Sequence, residues 1–299
     1  MKTRITHTPT ISVVMSAFNE ADFVRDALDS ILTQTFQDFE IIIVDDASTD
    51  ETGAILDAFA QIDARITVLH NRTNMRMASS VNKAMKIARG RYIVRMDADD
   101  ISLPTRFEKQ FNYLEKHPQT VAVGSQCYTI NERGTVTGEK LFPLTHDRVY
   151  EYIYRFVPVQ QPSMMIARHR LPKNFVMHST SCRIGEEIEL LFKLFQYGKV
   201  ENLPQKLLKY RIHAHNTSFQ NVKESFINTF RFRFQAISRY GYRPSFTGIV
   251  YSLCQATAIL LLPQFVIMKL YTTMRIAHTT AELKPSFSLR LKKLFSFHV

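Results

Sequence analysis

The chain has 299 residues, 45% of them hydrophobic, enough to build one large domain or two smaller ones. Its 38 Lys/Arg against 27 Asp/Glu give a net charge of +11, which implies an anionic counterpart such as a nucleotide diphosphate, a phospholipid headgroup or nucleic acid. Cys127, Cys182 and Cys254 stand far apart with no Cys-x-x-Cys, which excludes a thiolate zinc site, argues against a disulfide framework and fits a reducing cytosol.

Met1 to Thr10 is polar and lacks the apolar core of a secretory signal, so none is expected. Ile11-Ser-Val-Val-Met15 is a continuous apolar run, as in a strand buried on both faces. Asn19 and Asp22 resemble a capping box, followed by Phe23, Ala27, Leu28, Ile31 and Leu32 on one helical face. Phe39 to Val44 is a second strand ending at Asp45-Asp46. Ser48 or Asp50 then caps a helix reaching to about Ala60. Ile66 to Leu69 is a third strand. Ala78 to Ala88 is a helix, with Gly90 expected at its C′ position. Tyr92 to Met96 is a fourth strand, and it runs into Asp97-Ala98-Asp99-Asp100.

Alternating strands and helices predict a mostly parallel, doubly wound α/β sheet. Ligands of such sheets bind beyond the carboxyl ends of the strands. Ser16 to Glu20, Asp45-Asp46 and Asp97 to Asp100 all fall at such ends and should converge. Clustered carboxylates repel and are costly to desolvate, so the Asp-x-Asp pair points to a hard divalent cation, Mg²⁺ or Mn²⁺, shared with a diphosphate. The competing reading is an acidic turn before the next helix, which starts near Pro104. No G-x-G-x-x-G or P-loop occurs, which argues against dehydrogenases and P-loop NTPases.

Phe107, Phe111 and Leu114 mark one more helix, and Val121 to Gly124 a further strand. Residues 125 to 180 are richer in turns and are read as an acceptor-binding region. Ile184 to Tyr197 reads as a helix ending at Gly198. Phe246 to Met268 carries no charge, and as a helix of about 35 Å it is long enough to cross a bilayer. Gln255, Pro263 and Gln264 interrupt it, and seven Lys/Arg stand against Glu282 from residue 241 onward. Attachment to a membrane surface is favoured over a clean span or a buried core helix.

Several blocks in order resemble the family-two inverting glycosyltransferases, which have the GT-A nucleotide-sugar fold. They are Ile11 to Glu20, Val44-Asp-Asp-Ala-Ser-Thr-Asp50, Asn82-Lys-Ala, Gly90 to Asp100, Pro104-Thr-Arg-Phe, Gly185-Glu-Glu-Ile-Glu-Leu190, Gly198 to Pro204 and Leu208-Lys-Tyr-Arg-Ile-His213. The resemblance implies a GT-A domain over 1–217, with nucleotide-sugar binding in about 10–110 and the acceptor site and catalytic base in about 111–217. The remainder, 218–299, is read as a helical membrane-associating extension. Asp99 is then the metal ligand, and Asp97 helps hold metal or ribose. Ser16, Ala17 and Phe18, with Glu20, form the first nucleotide loop. Asp46 reads the base, and Arg76 lies where some relatives place an arginine near uracil. Arg211 and His213 close over the diphosphate, His213 being a further metal ligand, a phosphate donor or an ordinary loop histidine. Glu187, or Glu186 in the alternative register, is the base. The metal would be Mn²⁺ or Mg²⁺.

Two departures from the family pattern stand out. Glu187 replaces the usual Asp, and Gln161 in Gln160-Gln-Pro-Ser163 replaces a His. With no Trp, the polymer-synthase Q-x-x-R-W motif is absent, which favours single additions. The expected partners are a nucleotide-sugar donor, with UDP favoured, a glycan or lipid-linked acceptor and the cytoplasmic membrane face, with no nucleic acid. An Asp97-nucleophile phosphohydrolase and a non-catalytic nucleotide-sugar binder are the alternatives. The first leaves the Ser16 and Glu187 blocks unexplained.

Overall fold

The structure, a computed structural model, describes residues 7–179, 186–213 and 222–262. Strands β1 (Ile11–Ala17), β2 (Phe39–Asp45), β3 (Ile66–His70) and β4 (Tyr92–Asp97) alternate with helices α1 (Val24–Leu32), α2 (Thr52–Ile62) and α3 (Arg76–Ile87). They pair in parallel in the order β3-β2-β1-β4. The apolar runs explain this, because helices cover both faces. Val13, Met15, Ile41, Ile43, Val94 and Met96 enter one core with α1, α2 and α4 (Arg106–Lys116). Their alternates Val14, Ile42, Val44 and Ile93 enter a second core with α3, α5 (His146–Tyr152), α6 (Glu186–Leu194) and α7 (Val222–Tyr240).

The second half adds β5 (Ile101–Ser102), β6 (Thr120–Ile130), β7 (Val136–Lys140), β8 (Met165–Ala167) and β9 (Lys199–Arg211). β8 lies antiparallel between β4 and β6, so the sheet becomes mixed at that point. β9 runs parallel to β6 from Thr120↔Lys199 to Ile130↔Arg211. The sheet then curls back, since β5, directly after the acids, pairs antiparallel with β9 at Ile101↔Lys209 and Ser102↔Leu208. The order is β3-β2-β1-β4-β8-β6-β9-β5, with β7 on β6.

Several local expectations change. Asn19 does not cap α1. It sits at φ 55°, its N–H donates to Ser48 Oγ at 3.1 Å, and its side-chain oxygen accepts from Thr49 N at 2.8 Å, tying the first loop to the second. Asp50 does meet the start of α2, accepting from Thr52 N at 2.9 Å, while its other oxygen accepts from Ala21 N at 3.1 Å. Gly90 is not a helix cap, because Ala88 closes α3 in an extended conformation. A Cβ at residue 90 would lie 2.5 Å from Ser12 N, so close approach to β1 requires the glycine. The strand expected at 121–124 extends to Ile130. The helix expected from Ile184 is observed over Glu186–Leu194, the residues before it lying outside those described.

The uncharged segment forms α8 (Phe246–Leu261), a helix of 16 residues, about 24 Å long. Among the described residues no helix is long and apolar enough to cross a membrane. Residues 263–268 of the expected segment lie outside the description.

Candidate active site at the carboxyl edge of the sheet

Strand register brings the acidic blocks together. Ser16 is level with Asp97 across β1–β4 and with Val44 across β1–β2, Ala17 is level with Asp45, and Asp46 N donates to Ala17 O at 2.8 Å. Asp97, Asp99 and Asp100 each place a carboxylate oxygen within 4.8 Å of the others.

Each of these three acids is treated differently. Asp97 pairs with Arg95, a nearly buried cation inside the otherwise apolar β4 run. Asp99 Oδ2 lies 3.0 Å from His213 Nε2, and the His213 ring leans on Phe23 at 5.0 Å. Asp100 is fully buried and accepts from Arg211 N at 2.9 Å, while its second oxygen has no hydrogen-bond partner. Burial, then the Asp99 charge, pushes Asp100 well above the usual carboxylate range. Glu20 from the first loop feels the Asp99 charge as well. Burial first, then Asp99 and Asp50, pushes it up to about 8. Three carboxyls thus meet at one point with Glu20 acting on Asp99 nearby, and burial holds two of the four, Glu20 and Asp100, toward the neutral form. That donor set fits a hard divalent cation, with Asp97 and Asp99 as the principal oxygens.

Arg211 was expected to close over the diphosphate, but it occupies a different place. It is almost fully buried and its guanidinium is spent on protein. Nε donates to Asp99 O at 2.7 Å, Nη1 to Glu132 O at 2.7 Å and Asn131 O at 3.2 Å, and Nη2 to Asp26 at 3.1 Å, with Phe23 beneath at 4.7 Å. It is a strut fixing β9, α1 and the β6–β7 turn behind Asp99.

Asp46 is buried, and its Oδ1 accepts from Asn71 Nδ2 at 2.7 Å, Met75 N at 2.8 Å and Ser80 Oγ at 2.9 Å. It therefore organises the loop entering α3. Arg76 follows, exposed, at φ 69°. Asn19, Ala47 and Arg76, the non-glycine residues of positive φ among those described, each follow one of the parallel strands. Such backbone is costly and persists where the surroundings impose it. Phe18 is exposed at the same edge. Glu187 lies half-buried in the first turn of α6, whose Ile188, Leu190 and Leu191 anchor the helix in the second core. The Glu186 side chain is outside the described residues.

Three residues escaped the sequence reading. Arg95 had a signal: a cation within a buried strand requires a partner. Arg106, in the Pro104-Thr-Arg-Phe block, is fully buried and donates to Gln110 Oε1 at 3.1 Å and to Arg95 O at 3.1 Å, fixing β4 from below. His178 had no signal. It is buried near Arg95, with Asn82 bonded to its backbone N–H at 3.1 Å and its carbonyl at 2.7 Å. Gln161 Nε2 lies 3.1 Å from His178 Nε2. Burial, then Arg95 and Lys193, pushes His178 down to about 3, so its ring is neutral.

Comparison with known proteins establishes the family and the fold. The family model described as glycosyl transferase family 2 matches residues 12–179. An uncharacterised glycosyltransferase of Haemophilus influenzae is 30% identical over 218 residues, covering 70% of this chain and 68% of that protein. Staphylococcus aureus TarS 1–349, solved with UDP, shares the fold with a TM-score of 0.62 at 18% identity, over 77% of this chain and 66% of that one. The mannosyltransferase PcManGT of Pyrobaculum calidifontis, solved with GDP-Man and Mn²⁺, gives 0.58 at 17% identity, over 91% and 85%. The curled mixed sheet is thus a GT-A fold. The chain belongs to glycosyl transferase family 2 and is a glycosyltransferase.

Proposed function

We propose that this glycosyltransferase moves a sugar, with inversion, from a nucleotide-diphosphate donor to a hydroxyl of a glycan or lipid-linked acceptor in cell-surface polysaccharide synthesis. The observation carrying this is the meeting of Asp97, Asp99 and Asp100 with the loops after β1 and β2 at one sheet edge. Ser16, Ala17 and Phe18 pack on the nucleotide, Asp46 shapes the base-reading loop, and Arg76 stands nearest a uracil, which favours a UDP-sugar. Asp99 and Asp97, with His213 beside Asp99, would hold Mn²⁺ or Mg²⁺, which neutralises charge on the departing diphosphate.

The rest of the chemistry falls to the protein. A sugar hydroxyl is a weak nucleophile until its proton is removed as the bond forms. Glu187 takes that proton, or Glu186 if the register is shifted by one. The acceptor oxygen bonds to the anomeric carbon as the bond to the diphosphate oxygen breaks, and the nucleoside diphosphate leaves. One displacement inverts the centre. The basic, apolar C-terminal region supports work at the cytoplasmic face of the membrane, where lipid-linked acceptors reside.

The test is turnover of UDP-, GDP- and dTDP-sugars with Mn²⁺ or Mg²⁺, read with and without chelator. Metal-dependent turnover of one donor class is expected. Wild-type turnover by Asp99→Ala would overturn the metal assignment.

A further inference from the structure

Helix α8 turns the usual arrangement of a surface helix inside out, while α7 keeps Phe232 and Ala236 in the second core. On α8 the inward positions are small or polar: Gly248 and Ser252 are buried, and Gln255 donates to Arg155 O at 3.1 Å. From α7, the buried Arg233 donates to Ser252 Oγ at 3.2 Å, to Gln255 Oε1 at 2.8 Å and to Ile153 O at 3.0 Å. The outward stripe of α8 is apolar. Phe246 is 81% exposed, Leu253 54%, Leu260 80% and Leu261 76%, a spacing that keeps them on one face. Leu253 and Leu261 also border a shallow groove with Val250, Cys254, Thr257 and Ala258. On α7, Ile227, Phe230, Phe234 and Ile237 form a second outward stripe. Half of the large exposed apolar side chains among the described residues lie on these two helices.

Gln255 therefore does not interrupt a buried membrane segment, since it faces the protein. A contiguous apolar face of this kind is costly in water and marks an interaction surface.

The charge on the described helices selects the occupant. From residue 225 to 262 the exposed charged side chains are Arg231, Arg239 and Arg243, and no acid occurs. A second copy would bring cations against cations. The sequence following Leu262 has six Lys/Arg against Glu282 and would repel in the same way if folded back. A sheet of lipid phosphates meets both requirements, apolar depth and negative charge.

We propose that the outward faces of α7 and α8 dock flat on an anionic lipid bilayer, inserting Phe234, Phe246, Leu253 and Leu260 below the headgroups. This rests on the reading that the chain works at a membrane, and it names the contact and the lipid class.

The test is flotation of the full chain with phosphatidylcholine vesicles, with or without phosphatidylglycerol. Wild type is expected to bind only the anionic vesicles. Phe234→Glu with Leu253→Glu should weaken that binding by about tenfold or more. Undiminished binding by this double variant would overturn the proposal while leaving membrane association standing, with the lipid contact elsewhere. Wild type binding neither vesicle would overturn both. A wild-type dimer that the double variant dissolves, without vesicle binding, would assign the face to a second copy and overturn the proposal. A fluorophore on exposed Cys254, in a Cys182→Ser background, tests the native face independently of the glutamates. Its emission should shift blue on anionic vesicles, and an unchanged spectrum would overturn the proposal.

Discussion

Along β1 to β4 the apolar side chains enter two cores and, apart from Glu40 held by Ser12 and Arg89 near the amino end, the charges gather at the carboxyl edge. Along α8 the polar groups turn inward, toward Arg233 of α7, and apart from Phe232 and Ala236 in the second core most of the large apolar side chains of the two helices turn out. The two regions are held by different forces. The sheet is stabilised chiefly by removing apolar surface from water. The helical pair sits on hydrogen bonds and ring contacts: Tyr154 stacks on Tyr242 at 5.0 Å, Tyr242 OH donates to Tyr150 O at 2.5 Å, and Arg233 bridges to α8. A region with its apolar stripe exposed contributes little to folding and leaves that surface available for something else. The acidic edge is the mirror case, where charge is concentrated at a cost to stability, as the proposed metal–diphosphate site requires.

The largest effect should come from the acidic edge. Asp99→Asn is expected to lower kcat/KM by about a thousandfold, whereas Leu253→Glu should leave turnover of soluble donor and acceptor unchanged. Equal losses in steady-state assays would break the contrast between the regions. Glu187→Gln should lower kcat by roughly 10²- to 10⁴-fold with little change in donor KM. If Glu186→Gln does so instead, the base moves one residue.

Stability separates the two buried arginines. Arg211→Met strips donors from Asp99 O, Glu132 O and Asp26 and should cost about 3 kcal/mol in urea unfolding. Arg233→Met should cost less, about 2 kcal/mol, and loosen mainly α8, as hydrogen exchange would show. A larger loss at Arg233 would mean that the hairpin is integral to the fold.

The smallest effect is a slope. Glu20 titrates at about 8 in the folded chain against an ordinary 4.5, so the folded state holds more protons than the unfolded state between those values. Stability must then fall as pH rises through that window. Melting of metal-free protein from pH 5 to 9 should show the decline, and Glu20→Gln should flatten it. Asp100, shifted in the same direction, leaves a residual slope. Mn²⁺ should raise Tm more at pH 8 than at pH 6.

The parallel half was legible because its signals are local. Runs such as Ile41-Ile-Ile-Val44 are bounded by acids and turns, and strand-end chemistry follows from topology. What escaped depends on partners far along the chain. Asn19 looks like a cap until Thr49 supplies a better donor, and Gly90 looks like a helix terminator until Ser12 presses on it. The strand β9 was hidden because Pro204 and scattered lysines break its alternation and its register with β6 shifts near Gln126. The burial of Arg211 behind Asp99 was not readable from the family pattern. That follows from Asp26 and the β6–β7 turn closing around it.

The pairing of β5 with β9 has a mechanical consequence. The backbone two residues past Asp99 is hydrogen-bonded to the strand that delivers His213, and that strand pairs with β6 from Lys199 to Arg211, with register shifts around Gln126. Moving the acidic turn away from His213 would therefore require breaking the β5–β9 pairing.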